Sequence, residues 1–255
     1  MQQNTFYILT HRSLSNSARA IAQSIGEKIG RIVRVSYGED KEFGDIPPLI
    51  RWGNPSFTFS KDTPYNNPDH IRTTSNKKML SSLLHEKDIP TIRFHTGVPE
   101  RFPIVVRKTL LGKGGEGIVV CHDYDDFKNH FSQYAWSYWH RFPIELGVHI
   151  FEGKILKLFK KVRSDGLPEE AFPIRNLARG YHYVRVDPAN FTKLIPATMS
   201  YYQAFPIKFG RADVGWDDES KCYRIIEMNS APAVSSNPDT LDMYVKSLMR
   251  AIFNS

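Results

Sequence analysis

Residues 103–123 read PIVVRKTLLGKGGEGIVVCHD, and this stretch limits the fold more than any other. A β-branched run, Ile104, Val105 and Val106, leads into the cations Arg107 and Lys108, and a second apolar run begins at Ile118. Between them lie four glycines, Gly112, Gly114, Gly115 and Gly117. Strand formers on both sides of a glycine-rich loop predict a hairpin whose backbone N–H groups can approach an anion, with lysine adding a point charge. Gly112, Gly114 and Gly117 also spell GxGxxG. A dinucleotide fingerprint needs a helix directly after the loop, whereas IVVC follows here, so that reading is rejected. A Walker A loop is excluded because Gly112-Lys113 precedes Gly114 rather than Ser or Thr. A flap closing over nucleotide phosphates fits the pattern, and an ordinary glycine-rich turn is the plain alternative.

The chain has 255 residues, 41% of them hydrophobic, enough for one large domain or a few coupled subdomains. No apolar run reaches the roughly 20 residues of a membrane span, and the first residues lack a signal-peptide profile, so a cytoplasmic protein without membrane contact is expected. Cys121 and Cys222 sit in strand-like apolar runs and read as packing residues. The formal net charge of +7 admits nucleic acid, nucleotide or an acidic peptide as partner. The cations are scattered apart from 154–163, and no nucleic-acid motif accompanies them, so nucleic acid is not expected.

Hydrophobic spacing predicts strands over 6–9, 31–35 and 49–52 and a helix over 15–25, a βαβ-like start. Residues 60–70 read as a linker. Ser75-Asn76 caps a helix over 77–88 with Lys77 in its first turn, where a cation opposes the helix dipole unless an anion is near; a solvated lysine is the plain reading. A strand at 91–94 and a short helix at 125–131 follow. The aromatic-dense stretch 134–139, with Trp136, is either core or a wall for a flat base. Strands 145–151 and 154–162 flank a turn at Glu152-Gly153, and Lys157 and Lys161 share one face of the second strand. A turn-rich loop at 164–173, a strand at 181–186, a mostly helical 188–205 and a closing helix at 240–253 complete the chain.

Residues 208–230 read KFGRADVGWDDESKCYRIIEMNS, two strand-like runs around an acidic turn. A regular hairpin centred near Ser220 sets Asp213 opposite Glu227, with Asn229 on the face of Glu227 and with Ile226 and Met228 turned to a core. Facing carboxylates are unfavourable unless a cation or hydrogen bonds compensate, and two carboxylates with an amide oxygen are hard ligands suited to Mg²⁺ or Mn²⁺. Acidic residues on a solvated face are the alternative.

A glycine-rich phosphate hairpin followed by Asp…Glu-x-Asn resembles the ATP-grasp superfamily, most closely its ribosomal-protein glutamate ligase-like branch and small phage-type ligases. Asn76-Lys77, Leu83-Leu84 and Ile89-Pro90 resemble the family's DK…LL…gIP segment. Lys108 with Gly112, Gly115 and Gly117 matches its lysine and glycine loop. Glu145, Val148-His149-Ile150-Phe151 and Gly153 resemble the EyRvHvf-x-G strand, and Arg175-Asn176 with Gly180 the R-N…G loop. Gly147 stands where the phage-type pattern has arginine, and Ala233 where glycine follows proline.

The resemblance implies an α+β ATP-grasp fold with an α/β N-terminal subdomain (1–72), a lid subdomain (73–133) and a C-terminal subdomain (134–255), nucleotide lying between the last two. It implies ATP and Mg²⁺ or Mn²⁺ as cofactors. Asp213, Glu227 and Asn229 would bind metal; Lys77, Lys108, Lys161 and the glycines would bind phosphates; Trp136 would stand in the adenine hinge. Lys161 and Arg175 would act in catalysis, Arg175 by clamping a substrate carboxylate or acyl phosphate. The implied activity is ATP-dependent carboxylate–amine ligation on an anionic amino acid or peptide. A kinase of similar fold, or a nucleotide- or nucleic-acid-binding module without turnover, is the alternative.

Overall fold

In the computed structural model, which describes residues 6–10, 15–37, 50–55, 65–110, 115–130, 135–165, 175, 179–204 and 207–253, β1 (Phe6–Thr10) is the middle strand of a parallel sheet. β2 (Val33–Tyr37) and β3 (Ile50–Trp52) flank it. The intervening α1 (Asn16–Ile29) starts where Ser15 Oγ accepts from the Ala18 N–H at 3.2 Å and stops at Gly30, which takes the left-handed φ of 63°. Its stripe of Ala18, Ile21 and Ile25 is buried together with Tyr244, Val245 and Leu248 of α6 (Pro238–Phe253). The C-terminal helix therefore closes the N-terminal core, and the hydrophobic cores cross the subdomain boundaries expected above.

The expected linker at 60–70 gives way to α2 (Pro68–Ser75), because Asn67 Oδ1 accepts from the Asp69 N–H at 2.8 Å and Pro68 opens the first turn. α3 (Lys77–Glu86) is capped as expected: Asn76 Oδ1 accepts from the N–H groups of Lys78 and Met79 at 3.1 and 3.2 Å. The expected strand at 91–94 is reduced to one bridge, Thr91 to Ile225. The chain there is shared between two sheets, since His95 already pairs with Trp136 of the next one.

That next sheet has β4 (Ile104–Arg107) between β5 (Ile118–Cys121) and β6 (Trp136–Tyr138), all antiparallel. Ile104, Val106, Cys121 and Trp136 form its own small core with Phe127 of α4 (Tyr124–His130). The third sheet is antiparallel and five-stranded, in the order β11-β10-β7-β8-β9. Its strands are β7 (Ile144–Phe151), β8 (Lys154–Arg163), β9 (Tyr181–Arg185), β10 (Phe209–Asp217) and β11 (Cys222–Asn229). The β7–β8 turn is the expected one, with Glu152 and Gly153 both left-handed at φ 46° and 75°.

Leu146, Val148 and Ile150 of β7 face a core closed by Leu80 and Leu84 of α3 and by α5 (Leu194–Ala204). Period-two alternation leaves Glu145, Gly147 and His149 on the opposite face. Their register partners there include Arg211, Asp213 and Lys157. Among the described residues no helix is long and apolar enough to cross a membrane.

Candidate active site

A cleft of about 1080 Å³ opens between the small lid sheet and this polar face of the large sheet, and the C-terminal ends of β1 and β3 reach its rim. Asp213 and Glu227 are register partners across β10 and β11, as the hairpin pattern predicts. The hairpin is not regular, however. Asp217 pairs with Cys222 at the turn, and a bulge between Asp213 and Val214 restores the Asp213–Glu227 pairing. The extra residue on β11 is Ile226, so Ile225 rather than Ile226 is buried in the core beside Met228, and Ile226 lines the cleft.

Cations hold both carboxylates. Lys77 Nζ lies 3.3 Å from Glu227 Oε2. Arg211 Nε lies 2.9 Å from Asp213 Oδ1, and Arg211 Nη2 donates to Asp213 Oδ2 at 3.3 Å. Lys161 Nζ donates to Glu145 Oε2 at 3.0 Å and stands 3.9 Å from Asp213 Oδ2. Burial alone would raise the pKa of Glu227, but Lys77, Arg211 and Arg107 outweigh it and hold the carboxyl low. Burial raises Asp213, with Glu227 adding to the rise and Arg211 and Lys161 opposing it. Burial would lower Lys161, yet Asp213 and Glu145 keep its ammonium form favoured. The two carboxyl groups repel each other, and the neighbouring cations Lys77, Lys161 and Arg211 relieve that repulsion.

Not every expected residue reaches the cleft. Lys77, Gly115, Lys161, Arg175, Asp213, Glu227 and Asn229 line it. Lys108 is exposed, and the cleft lining instead holds its neighbour Arg107. The reason is strand alternation: Ile104 and Val106 fill the lid core, so Val105 and Arg107 point the other way. Lys108 instead donates its backbone N–H to Gly117 O at 2.8 Å, closing the hairpin at a glycine with φ of 67°. Gly112 lies outside the described residues, as does Asn176. Trp136 belongs to the lid core: its Nε1 donates to Gly97 O at 2.8 Å and its ring stacks on His95. The cleft side of that segment is formed by Ser137, Tyr138 and Trp139. Lys157 shares its face with Lys161 but reaches Asp239 of α6 at 3.4 Å rather than the cleft. Arg175 is tied to the start of β7, donating to Phe142 O at 2.6 Å and lying 3.2 Å from Glu145 Oε1.

Sequence reasoning noted Arg107 and Glu145 without assigning them to the site, and passed over Arg211. A signal for two of them was present, since Arg107 alternates with apolar residues and Arg211 sits two positions before Asp213 on the same strand face. Arg211 also fills the space over Gly147. A Cβ at 147 would come 3.4 Å from Arg211 Cδ, so a cation from β10 lies beside the β7 position where the resemblance has an arginine.

The donor set fits a divalent cation. Asp213 Oδ1 is buried and accepts no hydrogen bond despite its closeness to Arg211. Asn229 Oδ1 accepts one hydrogen bond, from the Ala231 N–H at 2.9 Å, which leaves a lone pair. The buried Arg107 Nε donor likewise has no hydrogen-bond partner among the described residues, as expected of a group that meets a ligand.

No protein-family model and no curated protein matches the chain. Solved structures do resemble it. The ATP-grasp ligase PsnB complexed with minimal precursor superposes with a TM-score of 0.68 at 9% identity, over 97% of this chain and 99% of that one. D-alanine–D-alanine ligase from Bacillus anthracis complexed with ATP gives 0.63 at 14% identity, over 98% and 99%. Macrocyclase MdnC from Microcystis aeruginosa MRC, bound with precursor peptide MdnA, gives 0.64 at 12% identity, over 98% and 100%. The fold is therefore an α+β ATP-grasp fold, as the motifs implied. At these identities the likeness is one of fold, and the chemistry rests on the side chains described above.

Proposed function

We propose that the chain is an ATP-dependent carboxylate–amine ligase that works through an acyl phosphate. The observation that carries this reading is the placement of Asp213 and Glu227, face to face, in one cleft with Lys77, Arg107, Lys161 and Arg211. Asp213, Glu227 and Asn229 would hold Mg²⁺ or Mn²⁺, which would supply charge neutralisation to the phosphates of ATP. Lys77, Lys161 and Arg107 would neutralise the remaining phosphate charge. Val105, Ile118 and Ile226 give the cleft an apolar part suited to a base, beside Ser137 to Trp139.

In the first step a substrate carboxylate oxygen bonds to the γ-phosphorus while the bond to the β–γ bridging oxygen breaks, releasing ADP. In the second an amine nitrogen bonds to the acyl carbon, loses a proton, and inorganic phosphate departs. Both steps ask the protein for positioning and charge, not for a nucleophile. Arg175 and Arg211, which line the cleft, would grip the carboxylate being activated. The lid sheet with Gly115 would exclude water, which otherwise hydrolyses the acyl phosphate. Among the described residues nine cationic side chains against four carboxylates line the cleft, which favours an anionic amino acid or peptide as substrate. The structural relatives that carry a precursor or precursor peptide fit the same reading.

The test is ADP release from Mg-ATP with pools of amino acids and peptides, with and without hydroxylamine. Hydroxamate formation supports the ligase. A phosphorylated product stable to hydroxylamine would make it a kinase, and no ADP from any pool would remove the enzyme reading.

A further inference from the structure

Tyr183 on β9 is the register partner of Lys161 on β8. Its ring does not stay above its own strand. Cε1 comes within 3.5 Å of where a Cβ on Gly147 would stand, so the ring reaches past β8 to β7. Arg211 reaches the same point from β10, on the other side. The ring is consequently shared by two cations, with Arg211 Cζ 5.2 Å and Lys161 Nζ 5.8 Å from its centroid. Both cations also contact Asp213, and all four side chains line the cleft. Two like charges converging on one carboxylate repel each other, and an aromatic ring within about 6 Å of both attracts each of them. A Cβ at 147 would only touch the ring at 3.5 Å, but any longer side chain there would run into it and into Arg211.

We infer that Tyr183 is a positioning residue for the ligation proposed above: seated in the slot left by Gly147, its ring holds Lys161 and Arg211 as a spaced pair aimed at the group being transferred. The inference rests on the ligase reading. It assigns the work to the aromatic face, not to the phenol hydroxyl, and that distinction makes it testable.

The experiment compares wild type, Tyr183→Phe and Tyr183→Leu by ADP release, by nucleotide affinity from calorimetry, and by NMR of the Arg211 Nε–H. Tyr183→Phe keeps kcat within about threefold, while Tyr183→Leu loses about tenfold or more in kcat with nucleotide Kd within about threefold. The Arg211 Nε–H resonance shifts between wild type and Tyr183→Leu through loss of the ring current and stays in place in Tyr183→Phe. A Tyr183→Leu variant that turns over like wild type, or a Tyr183→Phe variant as impaired as the leucine, overturns the inference and leaves the ligase standing. A wild-type protein that releases no ADP removes the ligase reading and the catalytic role with it; the NMR arm still reports whether the ring stacks on Arg211. Gly147→Leu, which fills the slot, reproduces the Tyr183→Leu loss and adds nothing to it in the double variant; additive losses would count against a shared slot.

Discussion

Lys77 Nζ lies 3.3 Å from Glu227 Oε2, tying the first turn of α3 to the strand that faces Asp213. A lysine at a helix start opposes the dipole, and the Glu227 carboxylate compensates it. Glu227→Gln removes the counter-charge of Lys77 and, on the proposed reading, a carboxylate oxygen that would hold the metal. ADP release is expected to fall at least about a hundredfold in Glu227→Gln and in Asp213→Asn, with Mn²⁺ binding by electron paramagnetic resonance weakened in parallel. Chelation with EDTA should stop turnover of the wild type and excess Mg²⁺ should restore it. Undiminished Mn²⁺ binding in both variants would remove the metal assignment.

Arg107 and Lys108 are adjacent, but only Arg107 lines the cleft. Arg107→Met should weaken nucleotide binding by about tenfold or more, the worth of a charge-assisted contact in a partly dry site. Lys108→Met should stay within about threefold. Calorimetric titration with a non-hydrolysable ATP analogue decides between them, and the reverse ranking would mean that the lid rearranges on binding to bring Lys108 in.

His149 is buried, and its pKa is pushed down to about 3 by burial and then by Arg211 and Lys157. Tyr244 donates its hydroxyl proton to Gly210 O at 2.9 Å, so at 3.1 Å it accepts from His149 Nδ1–H, which defines a neutral tautomer. The unfolded chain binds a proton on this imidazole near pH 6.5 and the folded chain does not. Stability is therefore fully present above about pH 6.5 and falls as pH drops toward 3, by up to about 1.4 kcal/mol per pH unit. His149→Asn keeps a donor near Nδ1 but cannot titrate, so urea unfolding at several pH values should show a shallower acid limb. An unchanged slope would assign the acid loss to other groups.

Gly53 ends β3 at φ 72°, and a Cβ there would stand 2.6 Å from Ala231 Cβ, just after the Asn229 turn. Gly53→Ala should cost about 1–3 kcal/mol from left-handed strain and overpacking, a drop of several degrees in Tm by calorimetry. Adding Ala231→Gly should recover part of the loss, because it relieves the contact but not the φ. Full recovery would show that the backbone conformation costs nothing.

Much of this architecture is legible in the chain because it is local. Ser15 or Asn16, and Ser75-Asn76, announce helix starts through side-chain oxygens that serve N–H groups a few residues on, and of these Ser15 and Asn76 are the caps. Asp213 and Glu227 meet because they belong to one hairpin, whose partners are set by a single turn and one bulge. α2 escaped notice because Asn67-Pro68 begins a helix with the same residues that end one elsewhere.

What the amino-acid sequence determined by itself was most of the elements and the carboxylate pair, consequences of period, capping and short-range pairing; the α+β class came with the family resemblance. Which cations meet those carboxylates was decided only by tertiary structure. Alternation says that Arg107 and Lys108 point to opposite sides, but the packing of Ile104 and Val106 against Phe127 decides which side is the cleft. The same packing withdraws Trp136 into the lid, and Arg211 and Tyr183 meet beside Gly147 from strands far apart in the chain. A strand encodes the relation between its two faces, and only a partner across the core gives one of them a function.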